Sequence, residues 1–281
     1  MKVMNVQQFT GVVFVISALA GFLGALTGLG GGVVVTPALV ALLGVDLHYA
    51  MGASLVSVIA TSSGAAAAYV REGFSNVRIG MFLEIATTFG AVAGAHLTAL
   101  VPASGLALIF GAVLLYSAWH SLHEIHEQAE RRPDPLAARL KLNGSYPGPA
   151  GSIEYHPERV KAGFGVMFGA GVLSGLLGIG SGALKVIAMD QVMRIPFKVS
   201  TTTSNFMIGV TAAASAGIYL SRGYIRPSLA MPVMLGVLAG SLLGARLLVG
   251  AKPKSLRAVF ALVIGVLAVE MIYNGLHGGM Q

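Results

Sequence analysis

An apolar run extends from residue 9 to residue 44 and is broken in its middle by GLGGG at 28–32. A membrane-spanning helix needs about 20 residues, so this run is too long for one crossing and very short for two. Glycine in a helix interior costs up to about 1 kcal/mol relative to alanine. Four glycines in five positions therefore stop a helix. The pattern predicts two half-helices meeting at the glycines, as a re-entrant hairpin or a tight pair of crossings. In either case the chain returns to the side it came from. A second stretch, GIGSGALKVI at 178–187, breaks another apolar run in the same way.

The two breaks share a register of 150 residues without a gap. Gly28, Gly30 and Gly32 fall on Gly178, Gly180 and Gly182, Ser54 on Ser204, Thr61 on Thr211, and Tyr69 on Tyr219. Gly73, Gly90 and Gly94 fall on Gly223, Gly240 and Gly244. Such a register predicts two homologous halves, 9–122 and 162–276, joined by a polar linker at 123–161. Further apolar runs at 51–70, 78–101 and 104–122 recur at 199–220, 227–250 and 255–276. The expected fold is an all-α polytopic membrane protein. It has two inverted repeats, each with a glycine-broken pair and three spanning helices.

Composition supports the class. Only 10% of the residues are charged, where a soluble domain carries about 25%. There are no cysteines, which excludes disulfides, thiolate metal sites and thiol catalysis. The net charge of +7 reads as loop charge rather than nucleic-acid binding. Nothing near the N-terminus reads as a cleaved signal. If each broken run returns to its own side, one side holds Arg71, Arg78, Arg131, Arg132, Arg139, Lys141, Arg159, Lys161, Arg194, Lys198, Lys252, Lys254 and Arg257. The other holds Lys2, Arg222 and Arg226. Thirteen against three places the linker in the cytoplasm and both termini outside. The cell (inner) membrane is the expected location.

Within a bilayer, irregular backbone is tolerated where it lines protein or a water-filled cavity. A helix N-terminus there presents unpaired N–H groups and partial positive charge, which suits an anion. Gly30, Gly31 and Gly32 precede one half-helix, and Gly180, Ser181 and Gly182 precede the other. The competing role for such residues is close helix packing, which is the assignment for Gly90 and Gly94. Lys185 stands one turn into the second half-helix, where a cation opposes the helix dipole and calls for an anion. A substrate would supply it, and Asp190 is the competing partner. STTTSN at 200–205 adds Ser204 and Asn205 as neutral donors, with Ser54 as the repeat mate of Ser204.

Other polar groups carry weaker signals. Glu84 lies well inside a first-half helix and is a candidate for proton relay or for pairing with a buried cation. Glu270 lies nearer an end. His96 and Arg246 share a repeat position near helix ends, where snorkelling is the expected role. His120, His123 and His126 crowd one helix face but read as a membrane-proximal helix rather than a metal site. ERRPDP ends that helix, and GSYPGPAGS at 144–152 reads as loop.

The chain resembles the TauE/SafE family of sulfite exporters, also called the toluene-sulfonate uptake permease family. The resemblance rests on GFLGALTGLGGGVVVTPAL at 21–39, MGASL at 51–55, GVLSGLLGIGSG at 171–182 and STTTSN at 200–205. It covers nearly all of the chain outside the linker. It implies an inverted repeat and transport of sulfur oxyanions or small organosulfonates. Ser181 stands where the first turn has a glycine, and Thr36-Pro37 has no counterpart at Val186-Ile187.

The expected function is secondary transport of a small sulfur-containing anion, sulfite or an organosulfonate such as sulfoacetate. An anion channel with the same midplane site is the alternative. No GxxxxGK[ST] motif argues for ATP hydrolysis. No catalytic set argues for an enzyme, and no cofactor is expected. The expected partners are the anionic substrate and the lipid bilayer, with no nucleic acid and with a homodimer left open.

Overall fold

The computed structural model describes residues 5–27, 31–71, 75–122, 134–148, 151–248 and 253–277. The first half runs α1 (Val6–Thr27), α2 (Gly32–Leu43), α3 (Leu47–Arg71), α4 (Val77–Leu97) and α5 (Ala103–Leu122). The second half repeats this order as α7 (Val160–Leu177), α8 (Gly182–Ile187), α9 (Phe197–Ser221), α10 (Pro227–Leu248) and α11 (Pro253–Leu276). Each half thus has one long helix, one short helix after the glycine turn, and three long helices. The chain is an all-α polytopic membrane protein. Its outer surface is apolar, with Phe89 and Leu262 about 70% exposed, as a lipid-facing shell requires.

The helices pair across the halves with matching contacts. A Cβ at Gly90 would stand 2.2 Å from the Phe168 carbonyl, and one at Gly240 would stand 1.8 Å from the Ala18 carbonyl. A Cβ at Gly171 would meet the Thr87 carbonyl at 2.2 Å, and one at Gly21 the Val237 carbonyl at 2.3 Å. Each contact is its mate displaced by the 150-residue register. The contacts advance together along both chains, so α4 runs parallel to α7 and α1 parallel to α10. Small residues at these crossings let the backbones touch, which supplies packing where lipid offers no hydrophobic drive.

Two further cross-half pairs run antiparallel. In α3 and α9, Gly52 lies against Tyr224, just beyond the end of α9, while Thr203 near the start of α9 accepts from Asn76 N at 3.0 Å, just beyond the end of α3. In α5 and α11, a Cβ at Gly111 would lie 3.0 Å from the Ala268 carbonyl, and one at Gly275 lies 3.1 Å from the Ser104 carbonyl.

The linker contains structure that its composition conceals. Pro135 opens a helix, α6 (Pro135–Arg139), capped by Asp134, whose carboxylate accepts from Leu136 N and Val160 N at 2.8 Å each. The stretch read as loop at 144–152 instead lies in an antiparallel hairpin of β1 (Gly144–Gly148) and β2 (Gly151–Tyr155). A two-stranded hairpin has only edges, so Pro147 costs it little. The Asn76 amide, which also caps α4 through Ile79 N, donates to the Tyr155 hydroxyl at 2.7 Å. The hairpin is thereby tied to the end of the bundle where α3 meets α4. His123 and His126 lie outside the described residues, and among the described residues no group of three or more metal-ligating side chains forms.

Candidate functional site

The short helix α2 is joined to α3 by a three-residue turn and runs back along it, so its N-terminus comes to rest near the middle of α3. Its 12 residues rise about 18 Å, roughly half the thickness of a bilayer core. Ser54 Oγ of α3 donates to the Gly32 carbonyl at 3.1 Å. In the second half, Ser204 Oγ of α9 donates to the Gly182 carbonyl at 3.1 Å. Each short helix is thus pinned by its first residue to the long helix that follows it.

The two glycine turns meet. A Cβ at Gly32 would stand 2.5 Å from Val58 Cγ2, 2.7 Å from Ser54 Oγ and 3.5 Å from the Ile179 carbonyl of the opposite turn. Gly180 faces Val58 and Ile208, one from each half. Gly178 and Gly180 take φ of +65° and +72°, where glycine is at no steric disadvantage. Ser62 Oγ of α3 donates to the Asn205 carbonyl at 2.6 Å and accepts from Gly209 N at 3.0 Å, which locks α3 to α9 beside the turns.

The turns are not copies in conformation. Gly31 caps α2 with an ordinary φ of −64°, and its carbonyl accepts from Val34 N and Val35 N. Glycine is needed there for space, because a Cβ would stand 2.6 Å from Val237 and 3.2 Å from Gly21. Its mate Ser181 takes φ +52°, an uncommon conformation for a residue with a Cβ. The Ser181 hydroxyl is buried and makes no hydrogen bond among the described residues. With the Gly31 carbonyl taking the Val34 and Val35 N–H groups, Gly32 and Val33 are the residues of α2 whose N–H groups have no acceptor within the helix.

The second turn is also held from behind. Tyr219 Oη donates to the Gly175 carbonyl at 3.0 Å, one of the last carbonyls of α7. Thr98 Oγ1 lies 3.2 Å from the Leu176 carbonyl. These two side chains supply partners that the end of α7 lacks within its own helix.

Lys185 is fully buried on α8. The carboxylate that faces it is Glu84 of α4, with Nζ to Oε2 at 3.5 Å, and not Asp190. Lys185 also donates to Thr211 Oγ1, and Thr211 Oγ1 donates to Glu84 Oε1 at 2.5 Å. The second half-helix passes from α8 into a π-helical turn, Ala188–Val192, with Met193 N bonded to the Ala188 carbonyl.

Of the residues singled out by sequence, Gly32, Ser54 and Gly180 lie where the two turns meet, Ser204 and Gly182 are bonded to each other at the start of α8, and Ser181 stands between Gly180 and Gly182 in the second turn. Gly31 packs on α1 and α10, and Asn205 contributes its carbonyl to the α3–α9 lock. Gly30 lies outside the described residues. Thr211, Ser62 and Tyr219 were not read as site residues. For Thr211 and Tyr219 the available signal was their place in the 150-residue register.

The family model for sulfite exporter TauE/SafE matches residues 13–271. Probable membrane transporter protein YunE of Bacillus subtilis is 26% identical over 272 residues, covering 94% of this chain and 98% of the relative. Probable membrane transporter protein YdhB of the same organism is 28% identical over 236 residues, covering 84% and 87%. A probable membrane transporter protein of Xylella fastidiosa is 25% identical over 262 residues, covering 91% and 92%. No solved structure matches the chain. The match takes in both glycine turns and all or most of every long helix described above, and the chain belongs to the sulfite exporter TauE/SafE family of membrane transporters.

Proposed function

We propose that the protein is a secondary transporter for a small sulfur-containing anion, sulfite or an organosulfonate such as sulfoacetate, bound where the two glycine turns meet. The observation that carries this reading is the Ser181 hydroxyl. It is buried, has no hydrogen-bond partner among the described residues, and is held at φ +52° next to Gly182 in the second turn. A buried hydroxyl without a partner costs free energy that a bound oxyanion would return. The half-helix α2 points its N-terminus at the same place and adds N–H groups and dipole. Hydroxyls and N–H groups attract an anion without the deep trap that a free buried cation would make.

The two halves form an inverted repeat about an axis in the membrane plane. The antiparallel pairing of α3 with α9 and of α5 with α11 supports it, because corresponding helices of an inverted pair must run oppositely. The protein lies in the cell (inner) membrane with the linker on the cytoplasmic side, a placement supported by the balance of loop charge.

The test is counterflow in proteoliposomes with sulfite, thiosulfate, sulfoacetate, taurine and sulfate. Saturable counterflow of one of the small sulfur anions is the expected result. Non-saturating flux with single-channel conductance would mark a channel. Lack of binding to every member of the panel would remove the anion site.

A further inference from the structure

One polar feature of the fold has no mirror image. Lys185, Glu84 and Thr211 form a buried cluster, and Thr88 Oγ1 adds a bond to Glu84 Oε1 at 3.3 Å. The register places Val35, Met234 and Thr61 at the corresponding positions of the other half. Val35 is fully buried, and among the described residues Thr61 bonds the carbonyls of Ser57 and Val58 on its own helix. The fold thus fills the same interior position with apolar side chains in one half and with an ion pair in the other. Packing does not require the charges, and the desolvation of a buried pair is seldom repaid by its attraction. Ionisable groups at membrane depth mark substrate and proton paths.

The element that carries Lys185 is the irregular one. α8 begins at the Ser181–Gly182 turn, and Lys185 lies one helical turn beyond Gly182. The π-helical turn at Ala188–Val192 follows, whereas α2 continues as regular helix to Leu43. Such π-turns are frequent at functional sites.

We infer that Glu84 is a proton-binding site and that Lys185 is shared between Glu84 and the transported anion, so that one proton moves with each anion. This rests on the reading of the glycine turns as the anion site. When the anion enters, the ammonium exchanges the carboxylate for it and keeps its own protons. Glu84 is then a buried carboxylate facing only the Thr88 and Thr211 hydroxyls, and it takes one proton from water on the open side. Anion and proton leave together, and the ion pair re-forms. Among the described residues, Lys185 is the charged group that faces Glu84. The other ionisable groups of α4 are Arg78 and His96, near its ends. α7 carries only Lys161, and α9 only Lys198 and Tyr219, all near helix ends, and Asp190 lies on the π-helical turn.

The test uses proteoliposomes with a trapped pH dye and labelled sulfoacetate, which is ionised at neutral pH and carries no proton of its own. The wild-type protein should acidify the lumen with about one proton per anion taken up. In Glu84→Gln, proton movement per anion transported should fall by at least about tenfold. Glu84→Met combined with Lys185→Val copies the mirror residues. It should stay folded in detergent and lose anion affinity by on the order of tenfold or more. Counterflow without proton movement in the wild type overturns the coupling alone, as does full proton movement in Glu84→Gln. Unchanged affinity in the folded double variant removes Lys185 from the anion. Absence of any counterflow in the wild type removes the anion reading and the coupling with it.

Discussion

Ser54 Oγ donates to the carbonyl of Gly32 at 3.1 Å, and the bond repeats 150 residues later between Ser204 and Gly182. Each tether fixes the inner end of a half-helix against the middle of the fold. Ser54→Ala and Ser204→Ala should each lower stability by about 1 kcal/mol, the typical net worth of such a bond. The loss is measured as the shift in melting temperature of the detergent-purified protein. If the carbonyls also stand beside the anion site, both variants should weaken binding. A stability loss with unchanged affinity would make the tethers purely structural.

The glycines of the cross-half helix pairs make a second prediction. A Cβ at Gly94 would stand 2.0 Å from the Val172 carbonyl, and one at Gly240 would stand 1.8 Å from the Ala18 carbonyl. Backbone oxygens cannot move aside as a flexible side chain can. Gly94→Ala and Gly240→Ala should therefore force the helices apart and destabilise by about 1–3 kcal/mol, the usual cost of overpacking. Gly169 has no atom within 4 Å of a built Cβ, so Gly169→Ala should be neutral or up to about 1 kcal/mol stabilising. Equal melting temperatures for all three would show that the helix pairs are loose.

The end points of the half-helices were legible in the sequence because glycine is costly inside a helix and therefore marks a stop. The repeat was legible because its register has no gap. The pairing of Lys185 with Glu84 was not, since the two residues lie 101 positions apart and nothing but their opposite charge connects them. The different conformations of Gly31 and Ser181 were hidden for another reason. Glycine at one site answers a need for space, and the αL turn at the other depends on tertiary packing that aligned letters do not encode. The hairpin at 144–155 was missed because Pro147 and its glycines carry loop chemistry, while its strands are held in part by Tyr155 reaching Asn76.

That contact gives a pH prediction for the linker. Burial pushes the Tyr155 hydroxyl above the ordinary tyrosine value, and the bond from Asn76 acts in the opposite direction. The folded hairpin therefore disfavours the phenolate. Its contribution is fully present below about pH 10 and declines as the pH rises beyond it. Tyr155→Phe cannot ionise there, so its stability should fall less steeply across that alkaline range. Parallel curves for the two proteins would detach Tyr155 from the stability of the fold.

The orientation is open to direct labelling, because the chain has no native cysteine. Leu140 lies exposed in the linker and Ser228 exposed in the first turn of α10. A membrane-impermeant maleimide should reach Leu140→Cys only in inverted vesicles and Ser228→Cys in intact cells. The same side for both residues would break the inverted arrangement of the halves.

Ser181 separates the cost of its backbone from the use of its hydroxyl. Its φ of +52° is uncommon for any residue with a Cβ, so Ser181→Gly should relieve strain of roughly 1 kcal/mol and raise the melting temperature. Ser181→Ala keeps the strain and also loses the hydroxyl. Both variants remove the buried Ser181 oxygen, which has no partner among the described residues. A hydrogen bond to an anion is worth about 1.5–3 kcal/mol, so each should lose on the order of 10- to 150-fold in affinity for the transported anion. The two variants must then agree in affinity while differing in stability. If the glycine variant binds as tightly as the wild type, the hydroxyl is idle and the anion lies elsewhere. If affinity follows melting temperature across the pair, Ser181 shapes the turn and does not touch the ligand.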